Sequence, residues 1–189
     1  TANFSRRYDR RDTPPGQPAH LPTATLTSRC VCNSKVGLPS RAGGILVYLI
    51  PAINVQKGNP KRIYSLRDLT REGLRVAIAN PEMVCVGTYA VEIIERNLTQ
   101  AEKEKFKKNL VNYAESCEKT ANIISLKAVD AVLGWRVFQY WDPERIETIY
   151  LRPEEIPRIG YIPIAISKFT SDKALAQKFI DFLLSPHGK

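Results

Sequence analysis

The residues best suited to chemistry in this sequence are hydrogen-bond donors, and they fall at three junctions between strands and helices. The first is Val86-Gly87-Thr88, where the loop PEMVCVG runs into TYAVEIIERN. A helix opening there aims unpaired backbone N–H groups, and the positive end of its dipole, at whatever lies in front of it, which makes an anion site. Gly87 admits a ligand close to the backbone, and Thr88 adds a hydroxyl. The same residues also suit an ordinary strand-to-helix turn with Thr88 as N-cap. The second junction is Glu118-Lys119-Thr120-Ala121-Asn122. Thr120 either caps a helix there or presents backbone amides to the same cleft. The third is Arg136 in DAVLGWRV. A cation at the end of a buried strand needs an acceptor, either a carboxylate such as Asp130 or a bound anion.

Other chemistries find little support. Cys30 and Cys32 form a C-x-C pair and allow one disulfide, while Cys85 and Cys117 stand alone. The only histidines, His20 and His187, lie near opposite ends. No base is therefore at hand to make Cys85 or Cys117 a nucleophile, and no Cys/His spacing fits zinc. Glu154 and Glu155 follow Pro153 and read as a solvated helix start. Phosphate-loop, dinucleotide and G-x-S-x-G patterns are absent. Neither an enzyme, a metal site nor a cofactor is expected.

The elements that must position these donors occupy only part of the chain. Of 189 residues, 28 are Lys or Arg and 19 are Asp or Glu, for a net charge of +9, and 43% are hydrophobic. That is too apolar for a wholly disordered chain. No apolar run approaches the ~20 residues a bilayer requires. Residues 1–44 hold seven basic and two acidic residues, so +5 of the net charge, together with five prolines. The run from Arg6 to Arg11 suits either nucleic-acid contact or a solvated tail. The paired arginines are not followed by an apolar stretch in residues 12–30, so no intact signal peptide is visible.

From Ile45 the pattern changes. Ile45–Val55, interrupted by Pro51, reads as a strand with an irregularity or as a strand leaving one sheet for another. Lys57-Gly58-Asn59-Pro60 is a turn, and Ser65 caps a short helix over residues 66–71 with Asp68 in capping-box position. Leu74–Ala79 is a buried strand, followed by a helix over Thr88–Asn97. Thr99 caps a helix running through TQAEKEKFKKNLVNYAESC, with Phe106, Leu110 and Tyr113 on one face. Residues 120–128 form a short helix. Strands are expected over 130–137 (interrupted by Gly134), 146–151 and 161–167. Ser171 caps a last amphipathic helix. Strands alternating with helices predict a mainly parallel α/β sheet.

Taken in order, these segments resemble the periplasmic molybdate/tungstate-binding proteins of ABC transporters. The resemblance rests on Lys57-Gly58-Asn59-Pro60, Ser65-Leu66-Arg67-Asp68-Leu69, Val76-Ala77-Ile78 with Pro81, and Val86-Gly87-Thr88-Tyr89-Ala90. Asp130-Ala131 with Gly134-Trp135, and the closing Ser185-Pro186-His187-Gly188-Lys189, extend it over roughly residues 45–189. It implies a type II periplasmic-binding-protein fold, an α/β architecture with a mainly parallel sheet and flanking helices. One lobe is complete and the other incomplete. The implied divisions are a basic Pro-rich segment at 1–44, a crossover strand at 45–54, a complete lobe at 55–136, and a return segment at 137–189. The family's serine-bearing first strand and loop do not appear in residues 1–44. The implied ligand is a tetrahedral oxyanion, molybdate or tungstate first, held by Val86, Gly87, Thr88, Thr120 and Arg136. The implied partner is an ABC permease, and the implied location periplasmic or extracellular. The competing reading is an effector domain of a regulator whose basic tail contacts nucleic acid.

Overall fold

Pro51 divides the first apolar run in two. In the computed structural model, which describes residues 43–188, β1 (Gly43–Leu49) and β2 (Pro51–Gln56) belong to different sheets. Proline lacks the N–H that a continuous ladder needs, so it sits at the first position of β2, where the chain changes sheet. β1 pairs antiparallel with β7 (Gly160–Ala165) as a two-stranded ribbon. Of the two readings of this segment, the structure shows the change of sheet rather than one irregular strand. The Arg6–Arg11 cluster, His20, Cys30 and Cys32 lie outside the described residues.

The larger sheet has five strands. They are β2, β3 (Val76–Ala79), β4 (Leu110–Ala114), β5 (Ala131–Trp135) and β6 (Ile146–Tyr150), in the order β4-β3-β5-β2-β6. β3 runs parallel to β4 and β5, whereas β2 runs antiparallel to β5 and β6. The parallel half therefore sends the ends of β3, β4 and β5 to one edge. Apolar side chains cover both faces of β3: Val76 and Ile78 join one core cluster, Ala77 and Ala79 the other. That doubly buried pattern belongs to a strand with helices on both sides. Those helices are α1 (Cys85–Asn97), α2 (Gln100–Asn109) and α3 (Cys117–Ser125), joined by the short α4 (Phe138–Trp141) and a final α5 (Lys173–Leu184).

Local signals were reliable where a side chain closes its own loop. Gly58 and Asn59 take φ values of +78° and +47° in the expected turn. The Asn59 amide bridges the Ile63 N–H and C=O at 2.9 and 2.8 Å. Thr99 and Glu102 form a reciprocal capping box at the start of α2. Asp68 accepts hydrogen bonds from the Tyr64 and Ser65 amides and the Ser65 hydroxyl, anchoring a short 3-10 turn over Arg67–Thr70. Burial pushes the Asp68 carboxyl up, but these donors outweigh it and hold it below its ordinary value.

Four expectations need correction. The helix from Thr99 stops at Asn109, and LVNYA becomes edge strand β4, which leaves Tyr113 exposed. Lateral pairing with β3 overrides the helical spacing, and the buried Asn109 amide fastens the helix end by donating to the Leu69 and Arg71 carbonyls. Gly134 does not interrupt β5; a Cβ there would lie 2.4 Å from the Phe138 ring, so the glycine makes room for that side chain. The return toward the ribbon begins after β6 rather than at residue 137, because β6 completes the large sheet against β2. The last helix is capped by Asp172, whose carboxylate accepts from the Leu175 amide at 2.8 Å, and not by Ser171.

Asp68→Asn is expected to lower stability by about 1 kcal/mol through weakened capping. A carboxyl held low in the folded state stabilises it above the unfolded-state value, and that contribution disappears as pH falls through the folded-state value. Urea unfolding between neutral and acid pH should therefore show a shallower acid loss in Asp68→Asn than in the parent.

Candidate functional site

The edge where β3, β4 and β5 end is where open α/β sheets accept ligands, because the following helices begin there. The β3–α1 loop is held across that edge: the Asn80 amide donates to the Ala114 carbonyl at 2.7 Å. Asn80 also organises the turn, its carbonyl accepting from the Met83 and Val84 amides and its side chain from the Glu82 amide.

α1 opens three residues earlier than the sequence suggested. Its N-cap is Val84, in extended conformation, with no side-chain hydrogen bond and no acidic residue in the first turn. α2, α3 and α5 all receive a side-chain cap, from Thr99, Ser116 and Asp172. Val86 thus lies in a first turn without a capping side chain. Gly87 falls inside the helix instead of before it, and Thr88 lies past the opening residues rather than at the helix start. The Gly87 amide donates to the Val84 carbonyl at 2.9 Å, and the Thr88 hydroxyl to the Pro81 carbonyl at 3.1 Å. The glycine has a packing reason: a Cβ would lie 2.2 Å from the Ala79 oxygen and 2.7 Å from the Pro81 nitrogen. Thr88 is not the N-cap, and Gly87 meets protein backbone at its bare Cα. Cys85, at the first position of α1, is disulfide-bonded, so no free thiol stands there.

Thr120 is likewise not a cap. Ser116 caps α3, its hydroxyl accepting from the Lys119 amide at 3.1 Å. Thr120 is fully buried one turn on, with its amide and hydroxyl both donating to the Ser116 carbonyl at 3.0 and 2.7 Å. Glu118 occupies the first turn of α3. Its carboxyl is held low by its own backbone amide and by the Ser116 hydroxyl. The dipole of α3 is therefore already matched by a carboxylate, whereas that of α1 is not.

Arg136 directly follows β5. Its amide donates to the Ile50 carbonyl at 2.9 Å, where the chain crosses between sheets. Its guanidinium lies over the Tyr150 ring, 4.5 Å from the centroid. Among the described residues its Nε is buried with no hydrogen-bond partner. Asp130, the partner considered from sequence, is engaged by Arg75, through the backbone amide at 2.8 Å and Nη2 at 3.3 Å. Trp135 and Tyr89 pack edge to face at 5.0 Å, so the residue before Arg136 touches the second turn of α1.

Sequence reasoning missed the clamp that holds this edge to the return segment. Arg158 pairs with both carboxylate oxygens of Glu92 at 2.7 Å and covers the Tyr89 ring at 4.2 Å. The partners lie 66 positions apart, and no local spacing reports such a pair. The structure thus brings Val86, Gly87, Thr88 and Arg136 to one edge, and commits the Thr120 donors elsewhere. A separate groove of about 410 Å³ between β4 and α3 is lined by Asn112, Tyr113, Lys119 and Asn122, among others, and by none of the five expected residues.

Comparison with known proteins agrees with this architecture. A family model described as bacterial extracellular solute-binding protein matches residues 34–189, beginning ahead of the point where the residue pattern changes. The substrate-binding domain of a putative molybdenum ABC transporter from Clostridium difficile superposes with a TM-score of 0.63 at 22% identity, over 80% of this chain and 63% of that one. PEB3 with bound L-phospholactate gives 0.66 at 20% identity, over 78% and 64%. A periplasmic thiamin-binding protein gives 0.60 at 18% identity, over 87% and 54%. The shared fold is that of type II periplasmic-binding proteins, and this chain spans less than two thirds of the length of those structures. No curated protein matches the sequence.

Gly87→Ala should destabilise the protein by about 2–3 kcal/mol, since backbone must move to admit the methyl group. The urea midpoint reports this. An unchanged midpoint would show that the glycine is not required by packing on β3.

Proposed function

Because the chain belongs to the bacterial extracellular solute-binding proteins, we propose that it captures a small tetrahedral oxyanion, molybdate or tungstate, for delivery to an ABC permease. The family binds solutes rather than transforming them, and it is periplasmic or extracellular. Among the described residues no helix is long and apolar enough to cross a membrane.

The observation that carries the reading is the buried Nε of Arg136, unpartnered among the described residues, at the strand edge that also holds the uncapped start of α1. A guanidinium prefers an acceptor carrying negative charge. The nearest acid in sequence, Asp130, is occupied by Arg75. The aromatic face of Tyr150 supports the guanidinium from one side and leaves its donors in plane. In this reading Arg136 and the Val86 amide are the donors to the anion. Gly87 brings α1 close to β3, and Thr88 holds the loop in shape. These groups form one wall of a cleft. The Arg136 guanidinium and the uncapped, acid-free first turn of α1 favour an anion over a cationic solute such as thiamin.

Thermal unfolding with molybdate, tungstate, sulfate and phosphate in turn tests this. A ligand at one hundred times its dissociation constant adds about 2.7 kcal/mol to stability. The midpoint should rise with at least one of these dianions. In Arg136→Met the rise should vanish, while the unliganded protein remains as stable as the parent or more so, because a buried unpaired donor has been removed. No rise with any of the four anions would contradict the proposal.

A further inference from the structure

β2 reads PAINVQ, and Asn54 is the one polar side chain among its buried residues, at 0% exposure. Asparagine is a poor strand former, and an amide is costly to bury unless it is bonded. Here both ends of the amide are bonded. Nδ2 donates to the Trp135 carbonyl at 3.2 Å, and Oδ1 accepts from the Thr148 hydroxyl at 2.8 Å. One side chain on β2 therefore ties the end of β5 to β6. Gly134 leaves the space for it: a Cβ there would lie 3.2 Å from Asn54 Nδ2. The ladder between β3 and β5 stops at Leu133. The Trp135 carbonyl, two residues on, takes its donor from this side chain instead.

Both bonds bear on Arg136. The Trp135 carbonyl and the Arg136 amide belong to one planar peptide unit. Asn54 holds the oxygen of that unit, and the Ile50 carbonyl holds its N–H at 2.9 Å. A peptide fixed at both poles has little freedom to rotate, which sets the direction in which the Arg136 side chain leaves the strand. On β6, Thr148 lies opposite Asn54 and Tyr150 opposite Ala52. Residues two apart on a strand share a face, so the residue bonded to Asn54 and the ring under the guanidinium stand on the same side of the sheet. Arg136 Cζ is 4.5 Å from the centroid of that ring. We propose that Asn54 is a positioning residue for the anion donor: it fixes the Arg136 peptide and the strand that carries Tyr150 at one spacing, and so holds the guanidinium over Tyr150. This inference rests on the reading of Arg136 as a donor to the solute.

Two variants of the full 189-residue chain test it. Asn54→Leu removes both bonds. Thr148→Val removes only the bond to β6, in a side chain of nearly the same shape, and decides the matter alone if Asn54→Leu does not fold. Ile78→Val on β3, two strands away from Asn54, is the control. The first readout is the Arg136 Nε–H resonance without any ligand, since a proton near the Tyr150 ring shifts when the two move apart. The second is the dissociation constant for molybdate. Each variant should displace the resonance, and Asn54→Leu should weaken molybdate binding about tenfold. Ile78→Val should lower the urea midpoint and change neither readout. A resonance that keeps its parent position in either variant, or that Ile78→Val displaces as far, would overturn the proposal. So would parent affinity in Asn54→Leu. Should the parent itself bind no molybdate, the reading of the site fails, and the ligand-free resonance alone decides whether Asn54 places Arg136.

Discussion

A buried nitrogen that donates to nothing costs about 1–3 kcal/mol, and among the described residues Arg136 Nε is such a nitrogen. Its place follows from the way the sheet is made. β5 lies between parallel β3 and antiparallel β2, and the Arg136 amide is bonded to Ile50, where the chain passes from the ribbon into the sheet. The arginine therefore cannot leave the edge without breaking the crossover. Tyr150, at the end of β6, supplies an aromatic surface but no acceptor. A group fixed in this way and left incomplete is what a binding site for an anion requires: donors held in place before the ligand arrives.

The helices around it differ in a way that reinforces this. α3 carries Ser116 and Glu118 at its start, and Glu115 is held low beside Lys119, so negative charge already surrounds that terminus. α1 begins with Val84 and has no acid in its first turn. The difference arises from residue type alone, since both helices follow parallel strands ending at the same edge. Fixed dipoles and one cation suit a small dianion better than a neutral or cationic solute. The Glu92–Arg158 pair ties α1 to the return segment, and the Tyr89–Trp135 contact ties α1 to the strand end that precedes Arg136.

Much of the fold was legible because it is encoded locally. The Thr99–Glu102 box, the Asp68 cap, the Gly58–Asn59 turn and the change of sheet at Pro51 each follow from a few adjacent residues. Leu110–Ala114 was not legible. Its helical spacing is real, and only the lateral partner β3 makes it a strand. The helix starts were displaced for a related reason. Val84 is a poor N-cap by type, and Thr88 is a better one. The helical spacing that runs from Thr99 to Cys117 hides the cap at Ser116. At the site, Arg136 was recognised as a charge in need of a partner. That Asp130 belongs to Arg75, 55 positions away, is decided by the parallel register of β3 and β5 and by nothing near Arg136 in sequence.

The central claim concerns a single N–H group, and nuclear magnetic resonance can observe it. In ¹⁵N-labelled protein the Arg136 Nε–H signal is assigned by its absence from the Arg136→Met spectrum. It can then be followed as molybdate is added, with chloride as the control. The account predicts a saturable displacement of that signal with the dianion, shared by the Val86 amide and not produced by chloride. A signal that stays in place while amides elsewhere respond to molybdate, or one that follows chloride equally, would contradict it.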